Sequence, residues 1–209
     1  MDKTAYTLIE SHMLARMRDS AHDRQHVYRV LDRALDIAET EAGVDYDVLI
    51  AACLLHDIGR DRQYENPALD HAAEGGNMAY DFLLSIGWTP ERAARVRQCV
   101  FTHRYRCSRP PESLEAKILF DADKLDATGV MGVARTLLHQ GQVGEPLESF
   151  AQEYQFKLAK LYDKFYTARG RELAETRRES AARVYEALIE EAREAHNGGP
   201  ARLIGHFTD

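Results

Sequence analysis

The sequence predicts an all-α protein, a helical bundle with long charged helices toward its C-terminus. Apolar residues recur at three- and four-residue spacing in nearly every segment, while strict alternation and β-branched runs are hard to find. With 209 residues, 44% of them hydrophobic, the chain can build one sizeable core, so a single domain over 1–209 is expected.

The first helix is expected over Thr4 to Arg18, with Leu8, Met13, Leu14 and Met17 inward. A second follows Ser20 and carries Val27, Val30, Leu31, Leu35 and Ile37 up to Gly43. Asp45 can cap a third, whose run from Val48 to Leu55 is apolar on almost all sides and therefore belongs in the centre of the fold. That helix ends at His56, Asp57, Ile58 and Gly59. The polar stretch from Arg60 to Pro67 reads as a loop, followed by a helix from about Ala68 to Gly87 with Met78, Phe82, Leu83 and Ile86 as its stripe. Thr89 before Pro90 is a cap with a first-turn proline. The helix it starts should stop near His103, because Ser108, Pro110 and Pro111 cannot continue it. A further helix covers Leu114 to Leu125. Gly129 and Gly132 interrupt the apolar pattern after it, and Gly141 and Gly144 close that region. From Ser149, paired with Gln152 as a capping box, two long charged helices run to about His196. Asn197, Gly198, Gly199 and Pro200 then release a short tail.

The formal charge is −7, with Lys and Arg interleaved among Asp and Glu. Duplex nucleic acid is a poor partner for such a surface, since binding it relies on clustered cations. A small phosphorylated substrate remains compatible, because a metal ion can supply the positive charge. Cys53, Cys99 and Cys107 are odd in number and match no common zinc or redox spacing, which fits a reducing, cytoplasmic compartment. The N-terminal stretch MDKTAYTLIESHMLARMRDS is charged throughout, so neither a signal peptide nor a membrane helix is expected.

Two His-Asp dipeptides occur, where composition alone would give roughly 0.7, so the dipeptide itself proves nothing. Context separates them. His22-Asp23 lies among Arg18, Asp19, Arg24 and Gln25 at a helix start, where solvent and capping explain both residues. His56-Asp57 ends the most apolar helix, where unpaired polar groups would cost several kcal/mol. A divalent cation is one partner for this pair. The bland alternative is a hydrogen-bonded helix end, with Asp57 held by an arginine and His56 tucked against the core. His26 alone could be a surface residue. Asp121, Asp123 and Asp126 could form a solvated acidic face, although Ile118, Leu119, Phe120 and Leu125 enclose them.

Taken together, the order His26, His56-Asp57 and Asp123, with HDxxHxxRV at 22–30, LLHDIG at 54–59, FTHR at 101–104 and DADKLD at 121–126, resembles the HD-domain metal-dependent phosphohydrolase superfamily. It looks most like the stand-alone bacterial HD hydrolase branch. The resemblance runs from about Ser20 to Arg135, leaving a C-terminal helical extension at about 149–196. It implies that His26, His56, Asp57 and Asp123 bind a metal. Asp123 is preferred over Asp121 because the family ligand directly precedes a basic residue and leucine, here Lys124 and Leu125. Asp126 would then orient a ligand or a water.

Such a ligand set suits Mn first, and also Fe, Co, Ni or Zn, better than Ca. A metal-activated water would attack a nucleotide or another small phosphoester or phosphoanhydride. Asp57, His71 and His103 are the expected catalytic groups, and Arg104 and Lys124 are expected to hold the phosphate. Phosphatase and pyrophosphohydrolase activity both stay open. Two alternatives remain: a di-iron oxygenase, because His71 and His103 fall in the order a second metal would use, and a metal-stabilised binding module without turnover.

Overall fold

The computed structural model describes residues 1–16, 23–105 and 109–204. No strand occurs among them, so the fold is all-α as predicted. Helix α1 spans Lys3–Leu14, α2 Arg24–Ala38, α3 Tyr46–Leu55, α4 Arg60–Glu65, α5 His71–Ser85, α6 Pro90–Thr102, α7 Leu114–Leu125, α8 Gly129–Gln142, α9 Leu147–Lys160 and α10 Ala168–Ile204. A 3-10 turn at Tyr162–Lys164 joins the last two. No helix among the described residues is long and apolar enough to cross a membrane.

The apolar run of α3 is central, as its composition demands. Residues Val48, Leu49 and Ala51 to Leu55 are fully buried, and α1, α2, α5, α6 and α7 pack around them. Asp45 accepts from the Val48 amide and starts the helix as predicted. Thr89 likewise caps α6 through the Arg92 amide, with Pro90 in the first turn. Helix α7 keeps its predicted bounds, capped by Ser113. Helices α8, α9 and α10 enclose a second, smaller cluster of Val133, Phe150, Tyr154 and Ala181, and Leu158 packs against both clusters.

Several expectations are corrected. Helix α1 starts at Lys3 under an Asp2 cap. It turns Ile9 and Met13 inward, leaving Leu8 and Leu14 exposed. Met17, Ser20 and His22 lie outside the described residues, as does Cys107. Helix α2 stops at Ala38, and Gly43 makes the following turn at a φ of 82°. The segment read as a loop after Gly59 is helix α4. Its polarity reflects exposure, and local bonds such as Asn66 N–H to Arg62 O close its turns. Helix α5 starts at His71, because Asp70 accepts from the Ala72 amide. Its buried face is Ala72, Gly75, Gly76, Ala79 and Leu83, whereas Met78, Phe82 and Ile86 are partly buried. Gly132 sits inside α8, where a side chain would meet the Ala127 carbonyl 2.1 Å from its Cβ. The Ser149–Gln152 capping box is absent. Helix α9 begins three residues earlier, with Pro146 at the N-cap position, and the Ser149 hydroxyl donates to Glu145 instead. Helix α10 continues through Gly198, Gly199 and Pro200 to Ile204, where a tail was expected.

Candidate functional site

The site forms where the ends of α3, α6 and α7 meet the first turns of α2 and α5. Asp23 accepts from the backbone N–H of His26 and so starts α2 with the imidazole in its first turn. His56 is the C-cap of α3, His71 opens α5, and His103 is the C-cap of α6. Asp123 and Asp126 occupy the last turn and C-cap of α7. Helix ends therefore supply all of these side chains, and packing of the ends buries them: His26, His56, Asp57, His71 and His103 are each at most 3% exposed and Asp123 9%.

The tautomers follow from the partners. The Nδ1–H of His26 donates to Asp126 Oδ2 at 2.8 Å, and that of His56 to the Cys53 carbonyl at 2.8 Å. His71 Nδ1–H donates to Gln63 Oε1 at 2.8 Å, whose amide is oriented by its own donation to the Leu69 carbonyl. His103 Nδ1–H donates to the Val100 carbonyl at 2.6 Å. With Nδ1 protonated in a neutral ring, each Nε2 carries a lone pair, and all four point at carboxylates. His26 Nε2 lies 3.6 Å from Asp57 Oδ2 and 3.5 Å from Asp123 Oδ1. His56 Nε2 is 3.5 Å from Asp57 Oδ2, and His71 and His103 Nε2 are 3.6 and 3.5 Å from Asp57 Oδ1.

Lone pairs facing carboxylates repel unless something positive lies between them. Both Asp57 oxygens and His71 Nε2 are buried without a hydrogen bond among the described residues, at a cost of several kcal/mol per unpaired charged group. The bland alternative is partly realised, since Arg60 Nε sits 2.9 Å from Asp57 Oδ2 and His56 is tied to the core. That arginine is not aligned for a hydrogen bond, and it leaves the four imidazole lone pairs unaccounted for. Two groups of buried donors can each hold a cation: His26, His56 and Asp123, and Asp57, His71 and His103.

Electrostatics keeps the donors in the ligating state. Burial pushes His56 down to about 4, only partly opposed by Asp57 and Asp123. Burial, then Arg60, lowers His71 too. For Asp57 burial acts upward, but Arg60 and His56 outweigh it and hold the carboxyl well below its ordinary range. Asp123 follows the same pattern, with Lys124 first among the opposing charges. At neutral pH His56 and His71 are thus neutral, and Asp57 and Asp123 are ionised.

Asp121 is placed elsewhere. It accepts from the Tyr166 and Thr167 amides and the Thr167 hydroxyl, fastening the start of α10 to α7. Asp126 supports His26 and is itself held by Arg29, through bonds of 2.7 and 2.9 Å, and by Arg135 at 3.1 Å.

A cavity of about 330 Å³ opens beside these groups, lined by His71, His103 and Asp123. The predicted phosphate-holding pair, Arg104 and Lys124, also lines it, paired with Asp70 and Asp123 respectively. Sequence reasoning missed Arg60, Arg135 and Lys157 on the same wall. Arg60 had a signal, standing three residues after Asp57 where a helical turn brings it back. Arg135 and Lys157 had none, because they reach the cavity from helices outside the motif.

The HD domain model matches residues 24–128, just over half of the chain. This protein belongs to the HD domain family. Among its relatives, the uncharacterized protein YpgQ of Bacillus subtilis is 34% identical over 166 residues, covering 76% of this chain and 78% of YpgQ. The crystal structure of YpgQ in complex with ADP has a TM-score of 0.72 at 29% identity, covering 89% of this chain and 97% of that one. A predicted HD superfamily hydrolase from an uncultured Thermotogales bacterium has a TM-score of 0.64, also at 29% identity, over 90% of this chain and 92% of its own. The family and these neighbours give the protein the HD-superfamily hydrolase fold, with two candidate metal-binding groups of His and Asp.

Proposed function

We propose that the protein is a metal-dependent phosphohydrolase acting on a small phosphoester or phosphoanhydride, with a nucleotide as the first candidate. The observation that carries this reading is the convergence of four imidazole lone pairs on Asp57 and Asp123 beside a cavity lined by five cationic side chains, Arg60, Arg104, Lys124, Arg135 and Lys157. In a chain of net charge −7, such a wall selects anions locally. The ADP complex of YpgQ supports a nucleotide in particular.

His26, His56, Asp57 and Asp123 would hold the metal, and the orphaned Asp57 oxygens and committed Nδ1 protons fit that role. A divalent ion such as Mn, or Fe, Co, Ni or Zn, supplies a lowered water pKa and charge to the phosphoryl oxygens. The chain supplies the rest. Asp126 keeps the His26 tautomer fixed, and the buried helix ends keep the donors rigid. His71 and His103 face the cavity from the opposite side of Asp57, where they can exchange a proton with the reacting phosphate. Lys124 and Arg104 are placed to neutralise peripheral phosphoryl oxygens as charge gathers there.

One observation favours a second reading of His71 and His103. Together with Asp57 they form a complete donor trio, so a second ion would make them ligands. Such a binuclear site is where the di-iron oxygenase alternative enters.

The test is a panel of nucleoside mono-, di- and triphosphates and simple phosphoesters, assayed with Mn²⁺ or Co²⁺ and with product identification. Metal-stimulated release of phosphate or pyrophosphate, lost with a chelator, is expected. Absence of hydrolysis across the panel by metal-loaded protein would overturn the proposal. Iron charge-transfer bands in aerobically purified protein would instead favour the oxygenase.

A further inference from the structure

The family model ends at residue 128, and every candidate metal donor lies before that point. Much of the cavity wall lies after it, on α8 and α9, through Arg135, Thr136, Glu153, Phe156 and Lys157. Burial orders the cavity in depth: His103 is 1% and His71 3% exposed at the floor, whereas Phe156 is 42% exposed at the mouth. A substrate with its reacting phosphorus at the floor must therefore extend outward along the two appended helices.

Of the two cations on that wall Lys157 is the more exposed, its side chain at 25% against 11% for Arg135. Its Nζ donates to Thr136 Oγ1 at 2.9 Å, and the Thr136 hydroxyl spends its own proton on the Gly132 carbonyl at 2.7 Å. Thr136 is 3% exposed. It thus holds a flexible lysine from a fixed point, so part of the rotamer entropy of capturing an anion is lost before the ligand arrives. The deeper cations are tied more closely to carboxylates: Lys124 to Asp123 at 2.5 Å and Arg135 to Asp126 at 3.1 Å. Glu153 stands 3.8 Å from Lys157.

Building on the phosphohydrolase reading, we propose that Lys157, pinned by Thr136, is a specificity-determining residue that receives a second phosphate of the substrate, one removed from the reacting phosphoryl group. The HD core would then supply the metal chemistry, and the appended helices would distinguish phosphate chains from monoesters.

Calorimetric titration of the purified holoprotein with inorganic pyrophosphate and with orthophosphate tests this. Lys157→Met should weaken pyrophosphate binding about tenfold or more, the loss expected for one charged hydrogen bond, while orthophosphate binding changes less than about twofold. Lys157→Arg, which keeps the charge, should recover most of the pyrophosphate affinity and shows that loss in the methionine variant is not unfolding. Equal loss for both anions, or no loss for pyrophosphate, would overturn the assignment of Lys157 while leaving the phosphohydrolase reading intact. Wild-type protein that binds neither anion would overturn both.

Discussion

His26 Nε2 and His56 Nε2 stand 3.2 Å apart, with the Nδ1 of each ring turned to a different partner. The Nδ1–H of each ring is already donated, to Asp126 and to the Cys53 carbonyl. A cation held between them would take both rings as ligands, and the carboxylates of Asp57 and Asp123 flank the gap.

Metal content is the first prediction. Wild-type protein should carry at least about one transition metal per chain, and His56→Ala or Asp57→Ala should carry almost none. Elemental analysis showing full occupancy in both variants would remove the ligand assignment. If His71→Ala and His103→Ala each halve a content of two ions, the second donor trio is occupied as well.

Asp126→Asn should keep the fold and weaken the metal by about ten- to a hundredfold, as loss of such supporting carboxylates does. The shift would appear in competition against a chelator of known affinity. Asparagine can still accept from His26, but it removes the charge that Arg29 and Arg135 surround. Unchanged affinity would mean that the His26 tautomer is set without Asp126.

The two neighbouring carboxylates of α7 should fail differently. Asp123→Ala should abolish metal-dependent hydrolysis with little change in the melting temperature of the metal-free protein. Asp121→Ala strands the amides of Tyr166 and Thr167 and the Thr167 hydroxyl, at about 1–3 kcal/mol for each buried group left unpaired. It should therefore lower the melting temperature while its folded fraction still binds metal. The opposite pattern would show that Asp121 is the ligand.

Backbone contact positions the second trio. A Cβ on Gly59 would lie 2.3 Å from the His71 carbonyl and 2.5 Å from the Gly75 nitrogen. Gly59→Ala should thus push α5 away, cost about 1–3 kcal/mol as overpacking does, and lower turnover by withdrawing His71 from Asp57. Wild-type stability in urea denaturation would refute the close approach.

Away from the site, His12 stacks on Phe82 with ring centroids 3.7 Å apart. Burial, then Arg16, lowers its pKa from 6.5 to about 4. Since the unfolded chain takes up this proton first, stability should fall as pH drops from about 6.5 to about 4 and then level off. In chelator-treated protein, His12→Phe should lessen that loss by about 1 kcal/mol, allowing for solvent screening. Parallel pH profiles for the two proteins would contradict the shift.

Local patterns sufficed for much of this protein. The apolar run of α3 has no polar side to offer water, so it had to be central, and the pairs Asp45 with Val48 and Thr89 with Pro90 mark helix starts through bonds within one turn. His56-Asp57 stood out because that same run forbids unpaired polar groups beside it. Tertiary structure decided what depends on direction and distance. Asp121 and Asp123 are two residues apart on α7, and that spacing turns one toward α10 and the other toward His26; their composition is identical, so only the packing of α7 separates anchor from candidate ligand. Of the four Nδ1 partners, Cys53 and Val100 lie three residues before His56 and His103 and are set within the helix ends themselves, whereas Asp126 is brought to His26 from 100 residues away by folding. Arg135 and Lys157 reached the cavity by the same means, since a side chain's charge is written in the sequence but the wall it faces is set by how distant helices pack.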